Sequence, residues 1–188
     1  MSNDSFEQCD RQLVDRIRAD DHEAFETLFR KYADQLCTFA AEYVGDGKAE
    51  DIIQTVFCDV WERRGELSPK ESVKAYLYRA VRNTALDRLK HRDVKQEWKK
   101  EEKKRSSHEW NKPVENLQHQ ELRRAMKRAV AELPERRRMI YQMARGHGMT
   151  YVEIACALDI APKTVENQMG RALKALRDKL EKFAMFLQ

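Results

Sequence analysis

Residues 150–173 read Thr-Tyr-Val-Glu-Ile-Ala-Cys-Ala-Leu-Asp-Ile-Ala-Pro-Lys-Thr-Val-Glu-Asn-Gln-Met-Gly-Arg-Ala-Leu. Thr150 followed three residues later by Glu153 is the pattern of a capping box, in which a hydroxyl and a carboxylate reciprocally satisfy backbone amides at a helix start. The spacing predicts a short helix from Tyr151 to about Leu158. Pro162 suits the first position of a longer helix whose apolar stripe is Val165, Met169, Ala172, Leu173, Leu176 and Leu180. Two helices joined by a tight turn describe a helix-turn-helix. Ala155 is small where the helices must approach, and Asp159 stands where the turn needs positive φ, which Asp tolerates better than most residues. The second helix of such a unit enters the DNA major groove. Lys163, Thr164, Glu166, Asn167, Gln168 and Arg171 then lie off the buried stripe, free to meet bases or phosphates. The alternative is an ordinary helical hairpin with a polar outer face.

Upstream, Leu122, Ala125, Met126, Ala129, Val130 and Leu133 form another helical stripe, which Pro134 halts while suiting the first turn of a helix carrying Met139, Ile140 and Met143. Before Pro113 the periodicity fails. Residues 92–114 are dominated by Lys, Glu and polar types, including Lys99-Lys100-Glu101-Glu102-Lys103-Lys104-Arg105, and read as a charged flexible linker. Trp98 and Trp110 are its odd members, since large aromatics are depleted in such segments.

Toward the N-terminus helical stripes resume. Phe25, Leu28, Phe29, Tyr32, Leu36, Phe39, Ala40 and Tyr43 recur at spacings of three and four until Gly45-Asp46-Gly47. Ile52, Ile53, Val56, Phe57 and Val60 make a second helix, ending near Gly65. Val73, Tyr76, Leu77, Ala80, Val81, Thr84, Ala85 and Leu89 make a third, starting after Ser68-Pro69. Leu13, Val14 and Ile17 suggest a further short helix. The expected architecture is therefore all-α: a helical domain at 1–92, a linker at 93–115 and the helix-turn-helix domain at 116–188. Only six glycines and four prolines in 188 residues, about half the usual share, leave too few turns for many short strands.

Charge and cysteine usage narrow the function. The net charge of +4 hides an acid-rich start and a basic stretch with Arg123-Arg124, Lys127-Arg128 and Arg136-Arg137-Arg138, of the kind that faces polyanions. No run of about 18 apolar residues and no signal-like start is present, so a cytoplasmic protein without membrane insertion is expected. Cys9, Cys37, Cys58 and Cys156 are scattered, and buried free thiols are the expectation. The five histidines are not gathered at ligand spacing, so no metal and no cofactor is expected. Nor is a glycine-rich phosphate loop or nucleophile elbow present, which speaks against an enzyme.

The N-terminal helices carry a family resemblance. Ala49-Glu50-Asp51-Ile52-Ile53-Gln54-Thr55-Val56-Phe57-Cys58-Asp59-Val60-Trp61-Glu62 resembles the polymerase-binding helix of bacterial RNA polymerase sigma factors of the extracytoplasmic-function group. Lys74-Ala75-Tyr76-Leu77-Tyr78-Arg79-Ala80-Val81-Arg82-Asn83-Thr84-Ala85-Leu86-Asp87 is similar to that family's next helix. Leu133-Pro134-Glu135-Arg136, the capping-box segment and Lys163-Thr164-Val165-Glu166-Asn167 resemble its region four. The resemblance implies an alternative sigma factor that binds core RNA polymerase, melts the −10 element through region two at the β′ clamp, and reads double-stranded −35 DNA through region four beside the β flap. It also implies an anti-sigma partner.

Residue by residue, the resemblance places Asp51, Gln54, Phe57 and Trp61 at or behind the clamp contact. Phe57 also lies on the apolar stripe and Trp61 at its edge, which suits a core role. Ser68, Lys70 and Ser72 fall in the loop that captures an unstacked base, and Arg79, Arg82 and Asn83 face the melting DNA, with Arg88 and Lys90 extending a phosphate-tracking face. Asn83 and Asp87 could instead pair with each other. Two departures stand out. Ala161 replaces the usual capping Ser, and Asp159 replaces the usual turn Gly. A DNA-binding regulator acting alone is the second hypothesis, but it lacks any receiver or effector domain before the helix-turn-helix.

Overall fold

The computed structural model describes residues 3–67, 72–95 and 117–186, all of whose regular elements are helical. Eight α-helices are described: α1 (Asn3–Arg18), α2 (His22–Val44), α3 (Asp46–Glu62), α4 (Val73–Lys95), α5 (Leu117–Ala131), α6 (Glu135–Arg145), α7 (Tyr151–Leu158) and α8 (Pro162–Phe186). A single 3-10 turn, Arg64–Glu66, follows α3. The chain divides into two compact units, one carrying α1–α4 and the other α5, α6, α8 and the start of α7. α4 runs to Lys95, three residues past the boundary expected at 92. Ser68, Lys70, Trp98 and Trp110 lie outside the described residues.

In the first unit α2 is the central element, packed on α1, α3 and α4. Its start is fixed by Asp21, whose side chain accepts from the Ala24 amide at 3.0 Å, satisfying one of the orphan donors of the first turn. Its end is Gly45, at φ +80°, a conformation that costs a side-chain-bearing residue. This one residue also precedes α3, so the break expected over Gly45-Asp46-Gly47 is a sharp corner and Asp46 and Gly47 are already helical. Leu28, Leu36 and Phe39 of α2, Ile52, Val56 and Phe57 of α3, and Leu77, Tyr78 and Val81 of α4 are all at most 2% exposed. At about 1.5–3 kcal/mol for each large apolar side chain fully buried, this core is the main force holding the unit together.

α1 docks through Leu13, Val14 and Ile17, and through a polar contact the periodicity does not reveal. The buried carboxylate of Asp10 accepts from Lys31 Nζ at 2.5 Å and from the Tyr32 hydroxyl.

In the second unit Ala129 and Leu133 pack against Ala172 and Leu176 of α8, with Met126, Val130, Tyr141 and Ala175 around them. Pro134 sits at the cap of α6, one place before its first turn (φ −50°, ψ 140°), so its ring ends the preceding segment without entering the helix. Two stripe residues of this unit are not covered. Leu122 is 51% and Leu173 39% exposed, because a helix packed on one side buries a narrower arc than its apolar stripe. The thiols also depart from expectation: Cys9 and Cys58 are exposed and Cys37 and Cys156 half-buried, each standing beside its helix's core positions.

Candidate nucleic-acid and polymerase interfaces

The turn between α7 and α8 forms as its residue types require. The Thr150 amide donates to Glu153 Oε2 at 2.8 Å and the Glu153 amide to Thr150 Oγ1 at 3.2 Å, closing both arms of the capping box. Asp159 adopts φ +56°, and the Ile160 amide reaches back to the Ala155 carbonyl at 3.0 Å, the bond that seals a helix ending in a left-handed residue. Ala161 has no hydroxyl to offer. Its carbonyl nonetheless accepts from Thr164 and Val165 at 2.8 and 3.3 Å, and Pro162 begins α8 with no amide left to satisfy.

On α8, Val165, Met169 and Ala172 are buried, while Lys163, Glu166, Asn167 and Arg171 are exposed. This division turns a polar row outward from a helix whose opposite side is anchored. Thr164 and Gln168 are half-buried. Gln168 Oε1 accepts from Arg137 Nε of α6 at 3.5 Å, so it is engaged within the unit. Arg138 Nη1 donates to the Ala131 carbonyl at 2.9 Å, covering an orphan acceptor at the end of α5. The Arg136-Arg137-Arg138 run therefore divides between structural bonds and, at Arg136, an exposed charge.

In the first unit Asp51 and Gln54 are exposed on α3. Arg88 of α4 reaches across to this helix, donating to the Asp51 carbonyl at 3.2 Å and to Thr55 Oγ1 at 3.0 Å, with the Asp51 carboxylate 3.5 Å away. Arg88 thus ties α4 to α3. Phe57 is 2% exposed and lies edge-on to Phe25 and Phe29, with ring centroids 6.0 and 4.9 Å apart. It supports the α3 surface from beneath and presents no surface of its own. Trp61 is half-buried, its ring 4.4 Å from His22 and 5.0 Å from Phe25.

Arg64 completes this group. Its guanidinium lies over the Trp61 ring, and its Nε donates to Asp20 at 2.7 Å. Periodicity could not find it, because it lies past the end of α3 and acts on the α1–α2 turn.

On α4, Arg79 and Asn83 are exposed and Arg82 half-buried. Asp87 pairs with Lys90 at 3.6 Å. Ser72 is buried, and its hydroxyl accepts from the Ala75 amide at 3.0 Å as the cap of α4. Partial burial raises the Tyr76 hydroxyl above its ordinary pKa, an effect that Arg63 opposes and Asp59 reinforces. Among the described residues no cluster of His, Cys, Asp and Glu could hold a metal, and no helix is long and apolar enough to cross a membrane.

The two units match known families separately. Residues 28–94 match the family model for sigma-70 region 2, and residues 123–176 that for sigma-70 region 4. The chain is 27% identical over 185 residues to the ECF RNA polymerase sigma-E factor of Escherichia coli (strain K12), covering 94% of this chain and 97% of that one. It is 25% identical over 184 residues to the RNA polymerase sigma-H factor of Pseudomonas aeruginosa, covering 93% and 95%. Among solved structures, the fold resembles RpoE of Bartonella quintana in complex with the anti-sigma factor NepR, at a TM-score of 0.64 and 21% identity, over 84% of this chain and 96% of that one. It also resembles CnrH in complex with the cytosolic domain of CnrY, at 0.62 and 21%, over 93% and 98%. With region 2 and region 4 matched in that order, and relatives aligned along nearly its whole length, the chain belongs to the sigma-70 family of RNA polymerase sigma factors, in the extracytoplasmic-function group.

Proposed function

We propose that the two units divide promoter recognition between them, with residues 1–92 binding polymerase and the −10 element, 93–115 linking, and 116–188 reading the −35 element. The observation that carries the reading is the division of α8. Val165, Met169 and Ala172 are buried along one side, leaving Lys163, Glu166, Asn167 and Arg171 exposed in the first turns, where recognition helices meet base edges. In the first unit, Asp51 and Gln54 form the outward polymerase-facing surface, Phe57 and Trp61 shape it from behind, and Arg79, Arg82 and Asn83 of α4 meet the opening DNA strand.

On this reading the protein carries no catalytic group. It works in the cytoplasm as a detachable subunit of core polymerase and is restrained by an anti-sigma partner, as befits its group. Asp51→Lys tests the polymerase surface. The Asp51 carboxylate is exposed and only 3.5 Å from Arg88, a contact worth about 0–1 kcal/mol, so helicity and melting should be nearly unchanged while affinity for core polymerase falls. Unfolding of the variant, or unchanged affinity, contradicts the assignment.

A further inference from the structure

The first turn of α8 holds a formed ion pair. Lys163 Nζ donates to Glu166 Oε2 at 2.7 Å, with the two side chains 72% and 56% exposed. Exposed pairs of this kind add little to stability, yet this one stands where a recognition helix presents side chains to base edges. The ammonium carries three donors and the carboxylate about four acceptor positions. After their mutual bond, donors remain on one side of the pair and acceptors on the other.

That arrangement has a complement on one kind of base-pair edge. In a G·C pair, guanine O6 and cytosine N4 are themselves hydrogen-bonded at about 2.9 Å, close to the Lys163–Glu166 separation, and both face the major groove beside guanine N7. An ammonium over O6 and N7 with a carboxylate over the N4 amino group therefore meets each group with the opposite polarity. On an A·T pair the same placement sets the ammonium against the adenine N6 amino group and the carboxylate against thymine O4, with the thymine methyl in the way. The lysine has a second effect. A lone carboxylate entering the groove is repelled by the phosphates, whereas a paired one enters with its charge balanced.

We infer that Lys163 and Glu166 act as one unit that reads a single G·C base pair of the −35 element, the ammonium on guanine O6 and N7 and the carboxylate accepting from cytosine N4. The inference rests on α8 being the recognition helix. Asn167, exposed beside the pair, is left for a different base, and Gln168 is held by Arg137.

The test uses holoenzyme assembled from the full chain and core polymerase, scored for initiation over promoters randomised through the −35 element. The wild type should prefer G·C at one position, on the order of tenfold over A·T. Lys163→Ala and Glu166→Ala should each erase most of that preference and leave other positions unchanged. The exchange variant Lys163→Glu with Glu166→Lys keeps an ion pair on the same turn and should invert the preference to C·G at that position. A wild-type profile in the exchange variant, or a uniform loss across all sequences, overturns the inference. Asn167→Ala separates the two levels. If it shifts another position while the pair variants are silent, the pair is not a reader but α8 still is. If it is silent as well, α8 is not the recognition helix.

Discussion

Arg64 and Trp61 are joined twice: the guanidinium carbon lies 4.6 Å from the centroid of the indole ring, and Arg64 Nη1 donates to the Trp61 carbonyl at 2.9 Å. The arginine's Nε is at the same time bonded to Asp20, in the turn between α1 and α2. One side chain therefore holds the end of α3, the face of its last aromatic and a turn more than forty residues earlier in the chain. Trp61 is at the edge of the proposed polymerase surface, so its ring orientation bears on binding.

Arg64→Ala should lower stability by about 1 kcal/mol, the sum of a stacked cation and a partly exposed ion pair. It should also weaken core polymerase binding beyond what that loss explains. Thermal melting and a polymerase titration of the same variant check both. Arg64→Lys keeps the charge but not the planar stack and forked donors, and should recover only part of the affinity. Unchanged affinity in both variants removes Arg64 from the account.

Asp10 should matter to α1 far more than an average acidic residue. Asp10→Ala removes the buried carboxylate that accepts from both the Tyr32 hydroxyl and Lys31, a loss of about 1–3 kcal/mol. Lys31, 30% exposed, can turn to water, so Lys31→Ala should be the milder change. Hydrogen exchange of the α1 amides measures the difference. Equal protection in both variants argues against the buried carboxylate as the anchor.

Glu153 should be replaceable by Gln but not by Ala. Its carboxylate accepts from both the amide and the hydroxyl of Thr150, and Gln retains an acceptor oxygen for this role. Glu153→Ala should cost about 1 kcal/mol or more, and Thr150→Ala a similar amount. Because both variants act on one capping box, their effects should fall short of additive in the double variant. Full additivity in thermal melting would show the two bonds to be independent.

Acid should loosen α2 through Asp21. The Ala24 amide first, and then Arg16, hold this carboxyl below its ordinary value of 3.8. A carboxyl whose folded pKa is depressed contributes stability fully above its unfolded value, and that contribution disappears as pH falls through the folded one. Asp21→Asn keeps a capping oxygen without the titration. Its melting temperature should decline less than the wild type's as pH is lowered to below the ordinary carboxyl value of 3.8. Parallel declines in the two proteins would remove Asp21 from the acid response.

Local chemistry was legible from the residue types alone. Thr150 and Glu153 close the capping box, Asp159 takes positive φ, and Pro162 begins α8, because each of these depends on neighbours within a few residues. The helical stripes also identified the two cores. What periodicity could not supply was the width of each covered arc, which depends on where the facing helix stops. Leu122 and Leu173 lie on their stripes and remain exposed. Polar contacts between distant segments were invisible for the same reason. Asp10 with Tyr32, Arg64 with Asp20 and Arg88 with Thr55 join residues whose separation carries no pattern. The capping bond from the Ala75 amide to Ser72 is a local contact that the stripes also did not reveal.

In vitro transcription with core RNA polymerase, with and without the full chain, on a library of genomic promoter fragments tests the central claim most directly. Initiation at discrete start sites is expected only when the chain is present, with the chain alone binding the same fragments weakly and with steep salt dependence, since most of its DNA affinity comes from phosphate contacts. Tight, sequence-specific binding by the chain alone, with no start sites gained when core polymerase is added, would contradict it.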